Sequence, residues 1–530
     1  MKIERILIED QMAPIGLDEK KPAFSWLLTA EEGEQNLMQS ACRIVVRTGE
    51  DTVWDSGKME TGVSTGIGYE GEALQPCTKY EVKAEVWDNH GGKAEAESSF
   101  ETGLMDSLYA AWEGAEWIGA PHATVCAENR GVFTIESEFW MEGGKGEAGI
   151  VFGANDFRLN DHTKNELGME GENYIRYAVC LEDGDARLEI YRVGYAPEDT
   201  AEKPFAVTKL VNWKEKTQEI LTPENADAFH KLTVEVDGNV AYAYVDGILV
   251  DAIEEHGFFG TKVSGRQLNP RGNNDVLPYP RLNEIGFYAG KGTTGYFKNL
   301  TVRNVRKPSA EIIRETPEGR LDGGKSIFAD QIPVENGYFK VEDSQITADP
   351  SHHSIPMLRS CISCQKEKKL ASARLYITAR GIYDCRINGQ EITKDLLRPG
   401  LTQYDHRMNY QTYDITGLMK PGRNGIGVTL ASGWWSEAQT FVVKNFNYFG
   451  DKESLLAKVV MKYEDGSREV FGTNTEDWKY FGEGPYLFSS YFAGEQYDAR
   501  RAEVYETYSL PEFDDSTWEK PVVVDTVMIE

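Results

Sequence analysis

Short runs of alternating apolar and polar residues, broken by turn residues every ~8–12 positions, constrain this chain more than any other feature. Lys79-Tyr80-Glu81-Val82-Lys83-Ala84-Glu85-Val86-Trp87-Asp88 sets Tyr80, Val82, Ala84 and Val86 on one face of an extended backbone. Successive side chains of a strand point to opposite sides, so such a run buries one face and wets the other. Asn89-His90-Gly91-Gly92 then turns the chain into Ala94 to Phe100. Earlier, Cys42-Arg43-Ile44-Val45-Val46-Arg47 turns at Thr48-Gly49-Glu50 into Val53-Trp54-Asp55. The pattern predicts an all-β protein built of sandwiches.

Three consecutive sandwiches account for the chain. Residues 1–105 read as an immunoglobulin- or fibronectin III-like sandwich. The fibronectin-like version fits better, because the cysteine pair of an antibody domain is missing in its expected form. A boundary follows near Thr102 to Ala115, and Glu116-Trp117-Ile118-Gly119 opens the next unit. Residues 116–306 carry strand after strand: Gly149 to Gly153, Tyr174 to Val179, Arg187 to Arg192, His230 to Gly238, Ala241 to Gly247 and Glu284 to Gly290. The Val-Asp-Gly turn, the Ile-Gly-Phe-Tyr strand and the closing Phe-Lys-Asn-Leu strand resemble a concanavalin-like jelly roll, which is a possible carbohydrate-binding insertion.

Composition narrows the partners. With 86 acidic and 56 basic residues the formal charge is −30, which repels nucleic-acid backbones and anionic membrane surfaces. The first residues lack the apolar core of a signal peptide, and no stretch approaches the length of a membrane span. The seven cysteines are scattered without a framework, as in a chain with reduced thiols. A cytoplasmic location is expected. The 51 glycines and 26 tyrosines against 20 prolines suit many tight turns between short strands.

The third block, 307–525, is the most informative. Ala373 to Gly389 reads as two strands meeting at a tight turn, with Asn388-Gly389 as a strong hairpin signal. Leu397-Arg398-Pro399-Gly400-Leu401-Thr402-Gln403-Tyr404-Asp405 follows, then Tyr410 to Thr416, Lys420 to Val428, Ala431-Ser432-Gly433-Trp434-Trp435, Gly494 to Arg500 and Phe513-Asp514-Asp515-Ser516-Thr517-Trp518. In this order the segments resemble the N-terminal β-sandwich of bacterial α-L-rhamnosidases, glycoside hydrolase family 78. The opening sandwich is similar to the start of those enzymes too. The resemblance implies a parent enzyme that removes terminal α-L-rhamnose from glycosides or plant polysaccharides with inversion. That chemistry belongs to an (α/α)6 barrel following the sandwiches. The sequence stops at Val522 to Glu530, where the barrel would begin, so the chain is expected to be an accessory region that is not catalytic by itself. A free-standing glycan-binding protein is the alternative, and an enzyme acting through carboxylates in a sandwich cleft is a third reading.

No residue is assigned a catalytic role. Glycoside hydrolysis needs two carboxyl groups flanking the scissile bond. Asp514, Asp515, Asp237, Asp246 and Asp251 qualify only by count, and Asp237 and Asp246 sit in Asp-Gly turns. Trp434 and Trp435, beside Glu437 and Gln439 and with Tyr404 upstream, are the candidates for carbohydrate binding or barrel docking. Exposed, they form a platform for sugar rings or a docking face; buried, they are core, as are Tyr404, Tyr410 and Tyr413. Cys361-Ile362-Ser363-Cys364 has metal-like spacing and His352-His353 lies upstream, but structural zinc takes two well-spaced pairs, so no metal site is expected. No cofactor is expected. Calcium is the one candidate, in the middle block, where Asn155-Asp156, Asp161, Asp183, Asp185 and Asn273-Asn274-Asp275 supply oxygens without the spacing of a calcium loop. No dinucleotide, P-loop, zincin or nucleophile-elbow motif is present.

Overall fold

A computed structural model describes residues 1–524 apart from 31, 157–158, 160–171, 183–184, 197, 212–219, 238–239, 251–262, 265–279, 438–446 and 493. Every strand ladder among the described residues is antiparallel, and the protein is all-β. Among these residues no helix is long and apolar enough to cross a membrane.

The first sandwich packs a small sheet, Lys2–Ile8, Ala23–Thr29 and Ile67–Gly68, on a four-stranded one ordered Asp51–Asp55, Gln39–Thr48, Lys79–Asp88 and Lys93–Glu101. The alternation of Lys79–Asp88 does what its pattern requires. Tyr80, Val82, Ala84 and Val86 are all buried, and they meet Ile3, Ile6, Phe24 and Trp26 of the facing sheet in one core.

In the middle sandwich one sheet runs Phe205–Leu210, Asp185–Val193, Tyr174–Glu182, Gly146–Ala154, Glu284–Ala289 and Gln345–Ala348. The opposite sheet is centred on Val132–Met141, flanked by His230–Asp237 and Val240–Val245 on one side and by Thr294–Phe297 and Tyr338–Glu342 on the other. This pairing moves the expected boundary at residue 306. Glu311–Thr316, Tyr338–Glu342 and Gln345–Ala348 all join the middle sheets. These strands have only four to six residues, too few for alternation to show which sheet they extend.

Asp246, one of the turn aspartates, is structural. It holds a left-handed φ of 50°, and its carboxylate lies 2.8 Å from His230 Nδ1 and accepts from the Lys231 N–H at 2.8 Å. His230 Nε2 lies 2.9 Å from the Asn225 carbonyl. Burial opposes a charge on His230, yet Asp246 and the Asn225 carbonyl outweigh it and leave its pKa above the ordinary value. Both ring nitrogens face acceptors, the arrangement of an imidazolium. A raised native pKa gives stability that is complete below the unfolded value of about 6.5 and is lost as pH rises through the native value. The middle sandwich is therefore expected to lose stability as pH rises above about 6.5, and His230→Gln to flatten that dependence, as urea unfolding at several pH values would show.

The third sandwich sets Gln390–Glu391, Ile382–Ile387, Gly422–Ala431, Met357–Cys364 and Lys479–Phe481 against Gln411–Asp414, Leu370–Arg380, Ser454–Tyr463, Ile118–Gly119 and Val522–Val523. Ile118–Gly119, read from sequence as the opening of the middle unit, pairs here with Ser454–Leu455 and with Val522–Val523. Leu370–Arg380 and Ile382–Ile387 are not partners of one another. They lie in opposite sheets, joined at Gly381, whose φ of 114° only glycine adopts freely. Asn388-Gly389, with φ of 51° and 81°, instead turns Ile382–Ile387 into Gln390–Glu391, the geometry of a primed hairpin turn.

The first and third sandwiches are tied directly. Arg374 donates to both carboxylate oxygens of Glu101 at 2.7 and 2.6 Å. Tyr410, one of the residues weighed as core, donates to Asp18 at 2.6 Å and accepts from the Leu104 N–H at 2.7 Å. Glu113 receives Lys458 and Arg468, and the Arg468 guanidinium, helped by Lys458, holds its carboxyl down at about 2.

Candidate functional site

The double tryptophan sits on a single helical turn, Gly433–Ser436, directly after the strand Gly422–Ala431. Gly433 opens it with a φ of 53°, and a Cβ there would stand 2.7 Å from Ile382. The two rings then part. Trp435 turns inward: its indole N–H donates to the Lys452 carbonyl at 2.9 Å and its ring packs on Tyr404 and Phe449. Gly450 leaves room for it, since a Cβ would lie 2.4 Å from the indole. Tyr404 is fully buried, donates to the Gly400 carbonyl at 2.8 Å, and burial pushes its pKa up to about 12. These two belong to the interior.

Glu437 is buried as well. It lines a small cavity of about 120 Å³ between the third sandwich and Arg130, Asn304 and Glu311 of the middle one. Arg130 is the positive group facing Glu437 and Glu453 there, its pKa lowered by burial against their pull. Glu437 thus serves an interdomain seam rather than an open groove. Gln439 lies outside the described residues. Trp434 alone stays half-buried, its ring centre 4.3 Å from that of Tyr491, which neighbours the exposed Phe492. Leu396, Leu397 and Leu401 are also exposed, at 82%, 50% and 55%. Their loop is pinned from beneath by Arg398, whose guanidinium meets Asp384 at 3.1 Å.

The remaining candidates have structural partners. Asp514 accepts the Ser516 N–H at 3.0 Å in a turn, and Asp515 pairs with the buried Arg359. Asp251 and the side chain of Asp237 lie outside the described residues. Tyr413 is half-buried, its hydroxyl 3.3 Å from that of Tyr383. Cys361 and Cys364 cannot chelate together. Three residues apart on the strand Met357–Cys364, they face opposite sides: Cys364 enters the core, while Cys361 Sγ accepts from Arg423 at 3.0 Å. Of the calcium candidates, Asp161, Asp183 and Asn273 to Asp275 lie outside the described residues. Asp156 is buried, accepting from Asn283 Nδ2 at 2.9 Å, and Asn155 donates to Glu284 at 2.7 Å.

Two arrangements escape sequence reading because their members are far apart in the chain. On the outer face of the six-stranded middle sheet, the Arg176 guanidinium lies 3.7 Å from the ring centre of Tyr288, 4.3 Å from Tyr191 and 5.6 Å from Tyr174. Glu147 lies beside them, 3.2 Å from the Tyr288 hydroxyl, its pKa raised by burial. The second arrangement is a cleft of about 570 Å³ where the middle and third sandwiches meet. It is lined by Arg320, His352, His353, Glu483 and Asn283 among others.

Comparison with known proteins places these parts. Residues 3–106 match the family model described as "Rha78A-like, N-terminal immunoglobulin domain", and residues 368–528 match "Alpha-L-rhamnosidase N-terminal domain". The chain resembles the N-terminal region of α-L-rhamnosidases. An α-L-rhamnosidase of Streptomyces avermitilis is 28% identical over 523 residues, covering 96% of this chain and 44% of the relative. One from Formosa agariphila is 37% identical over 151 residues, 28% of this chain and 16% of the relative. The chain therefore spans less than half the length of these curated rhamnosidases. Among solved structures, the S. avermitilis α-L-rhamnosidase complexed with L-rhamnose aligns with a TM-score of 0.55 at 21% identity, covering 99% of this chain and 45% of that one. The Aspergillus terreus α-L-rhamnosidase aligns at 0.51 and 16%, covering 99% and 34%. At these identities the rhamnosidase structures establish a shared fold.

Proposed function

We propose that this chain is the non-catalytic N-terminal portion of an α-L-rhamnosidase, in which three sandwiches brace a catalytic domain that hydrolyses terminal α-L-rhamnose with inversion. The observation that carries this reading is the collinear match over 96% of the chain to less than half of a rhamnosidase. The exposed Leu396, Leu397 and Leu401, with Phe492 and half-buried Trp434 on the same sandwich, supply apolar surface of the kind that marks a contact with another domain. The expected result is no turnover of p-nitrophenyl-α-L-rhamnoside by the folded 530-residue protein. Hydrolysis at enzymatic rates, lost on replacing a carboxylate of the sandwiches, would overturn the proposal.

A glycan-binding role is favoured by one specific observation, the tyrosines around Arg176 on the outer face of the middle sheet. Aromatic faces beside a fixed guanidinium and a carboxylate suit a sugar's mixture of apolar C–H faces and hydroxyls. In this reading the middle sandwich holds rhamnose-containing glycans for the parent enzyme, with calcium a candidate ligand at the Asn155-Asp156 turn. Calorimetric titration with rhamnose and rhamnosyl oligosaccharides, with and without calcium, separates it from a purely bracing role.

A further inference from the structure

We propose that Asp322, His352 and His353 form a site for a divalent transition-metal ion, zinc by the chemistry of the donors, which clamps the middle sandwich to the third. One ligand atom from each of the three lies within 4.8 Å of the others, and His353 Nε2 is already 3.1 Å from Asp322 Oδ2. A tetrahedral ion with bonds of about 2.1 Å spaces its ligands by about 3.4 Å, so the cluster needs to tighten by little more than 1 Å.

The surroundings are those of a built site. Metal-binding imidazoles donate their other ring N–H to a carbonyl or carboxylate, which fixes the tautomer and aims the free nitrogen at the ion. Both histidines have that partner at Nδ1: for His352 the Pro350 carbonyl at 2.7 Å, for His353 the Glu483 carboxylate at 3.2 Å. Neighbouring residues of an extended chain point to opposite sides. His353 instead takes a left-handed φ of 59°, and the two rings come within 4.9 Å of each other. Left-handed backbone at a non-glycine residue carries a cost that structures retain mainly where a side chain must be aimed. His122 closes the cluster from one side, its ring stacked on His353 at 5.3 Å and 15°. Asp322 is oriented by the Gly324 N–H at 2.9 Å and by Arg320, whose Nε and Nη2 reach its two oxygens at 3.1 and 2.7 Å. Arg320 is thus the resident counter-charge with which the ion shares the carboxylate.

The ligands and the carboxylate that backs His353 straddle the seam. Asp322 follows the strand Gly319–Arg320 of the middle sandwich, Glu483 follows Lys479–Phe481 of the third, and the two histidines lie on the link between Gln345–Ala348 and Met357–Cys364. Two imidazoles and one carboxylate select zinc, nickel or copper over calcium, which takes oxygen donors.

The test uses the 530-residue protein stripped with chelator and kept reduced with a phosphine. Zinc is titrated by calorimetry and by thermal unfolding, and cobalt(II) by visible absorption. The expected result is one zinc per chain, a higher unfolding temperature in its presence, and cobalt bands of a low-coordinate site. Asp322→Asn and His352→Gln should each weaken zinc binding at least tenfold, while the double variant Cys361→Ser/Cys364→Ser leaves it unchanged. Absence of saturable zinc binding, unaltered binding by His352→Gln, or loss of binding in the cysteine variant would overturn the proposal. His352 keeps the test decisive should Asp322→Asn unfold, because its ring bonds the Pro350 backbone carbonyl rather than a charged partner.

Discussion

Replacing Arg359 by alanine is expected to destabilise the third sandwich by about 3–5 kcal/mol, the range for stripping one partner from a buried charged network. Arg359 is fully buried in the strand Met357–Cys364. Its Nε donates to the Tyr508 carbonyl at 2.7 Å and its Nη2 to the Leu510 carbonyl at 3.1 Å, and it pairs with Asp515. The guanidinium also lies 5.2 Å from the ring centre of Phe513. One side chain therefore fastens the whole returning segment from Tyr508 to Asp515. Tyr508 is itself fully buried, bonded to Thr429 at 3.0 Å and seated on Gly427, where a Cβ would stand 2.5 Å from its ring. Alanine would take the donor from the Tyr508 carbonyl, a loss of about 1–3 kcal/mol, and leave the Leu510 carbonyl with the Phe513 N–H at 3.3 Å. Lysine should recover little, since it cannot reproduce the planar fork. Chemical denaturation measures the loss, and hydrogen exchange should show residues 502–518 opening first. A change below about 1 kcal/mol would mean that the segment is held elsewhere.

Nothing in the sequence marks Arg359 out. Arginine reads as a surface residue, because the prior for burial is low and the partners lie about 150 positions downstream. The same limit applies to the His352, His353 and Asp322 cluster, whose carboxylate sits across a domain seam, and to the tyrosines gathered on Arg176. What local sequence does carry is period-2 alternation and turn chemistry. Lys79–Asp88 announces its buried face, and Asn388-Gly389 announces its hairpin. A single glycine between two good strands, as at Gly381, looks like a hairpin turn, and only the facing sheet explains why the chain crosses over there. The Trp434-Trp435 pair shows the intermediate case. Sequence singles it out, but on a helical turn adjacent rings diverge by about 100°, so one goes into the core and the other stays at the surface.

Cutting the middle unit at its apparent sequence boundaries should abolish its folding. A fragment of residues 116–306 lacks strands from both sheets, Tyr338–Glu342 from one and Gln345–Ala348 from the other. It also lacks Ile312, Ile313, Phe328, Ile332, Phe339 and Val341, all buried in the same core as Phe287. Phe287 shows the consequence: its ring packs on Phe297 at 4.6 Å, Phe328 at 5.0 Å and Phe339 at 5.5 Å, so two of these three rings come from beyond residue 306. At ~1.5–3 kcal/mol for each buried side chain, the six missing residues amount to roughly 9–18 kcal/mol, as large as the net stability of a typical domain, about 5–15 kcal/mol. A fragment of residues 121–354 restores both strands and the bridge between Val125 and His352 that brings its ends together. It should unfold cooperatively and show a native near-ultraviolet circular dichroism spectrum, while the shorter fragment shows neither. Cooperative folding of 116–306 would mean that the strands beyond residue 306 are added to a core already complete without them, and that the sequence boundary, not the strand pairing, marks the folding unit.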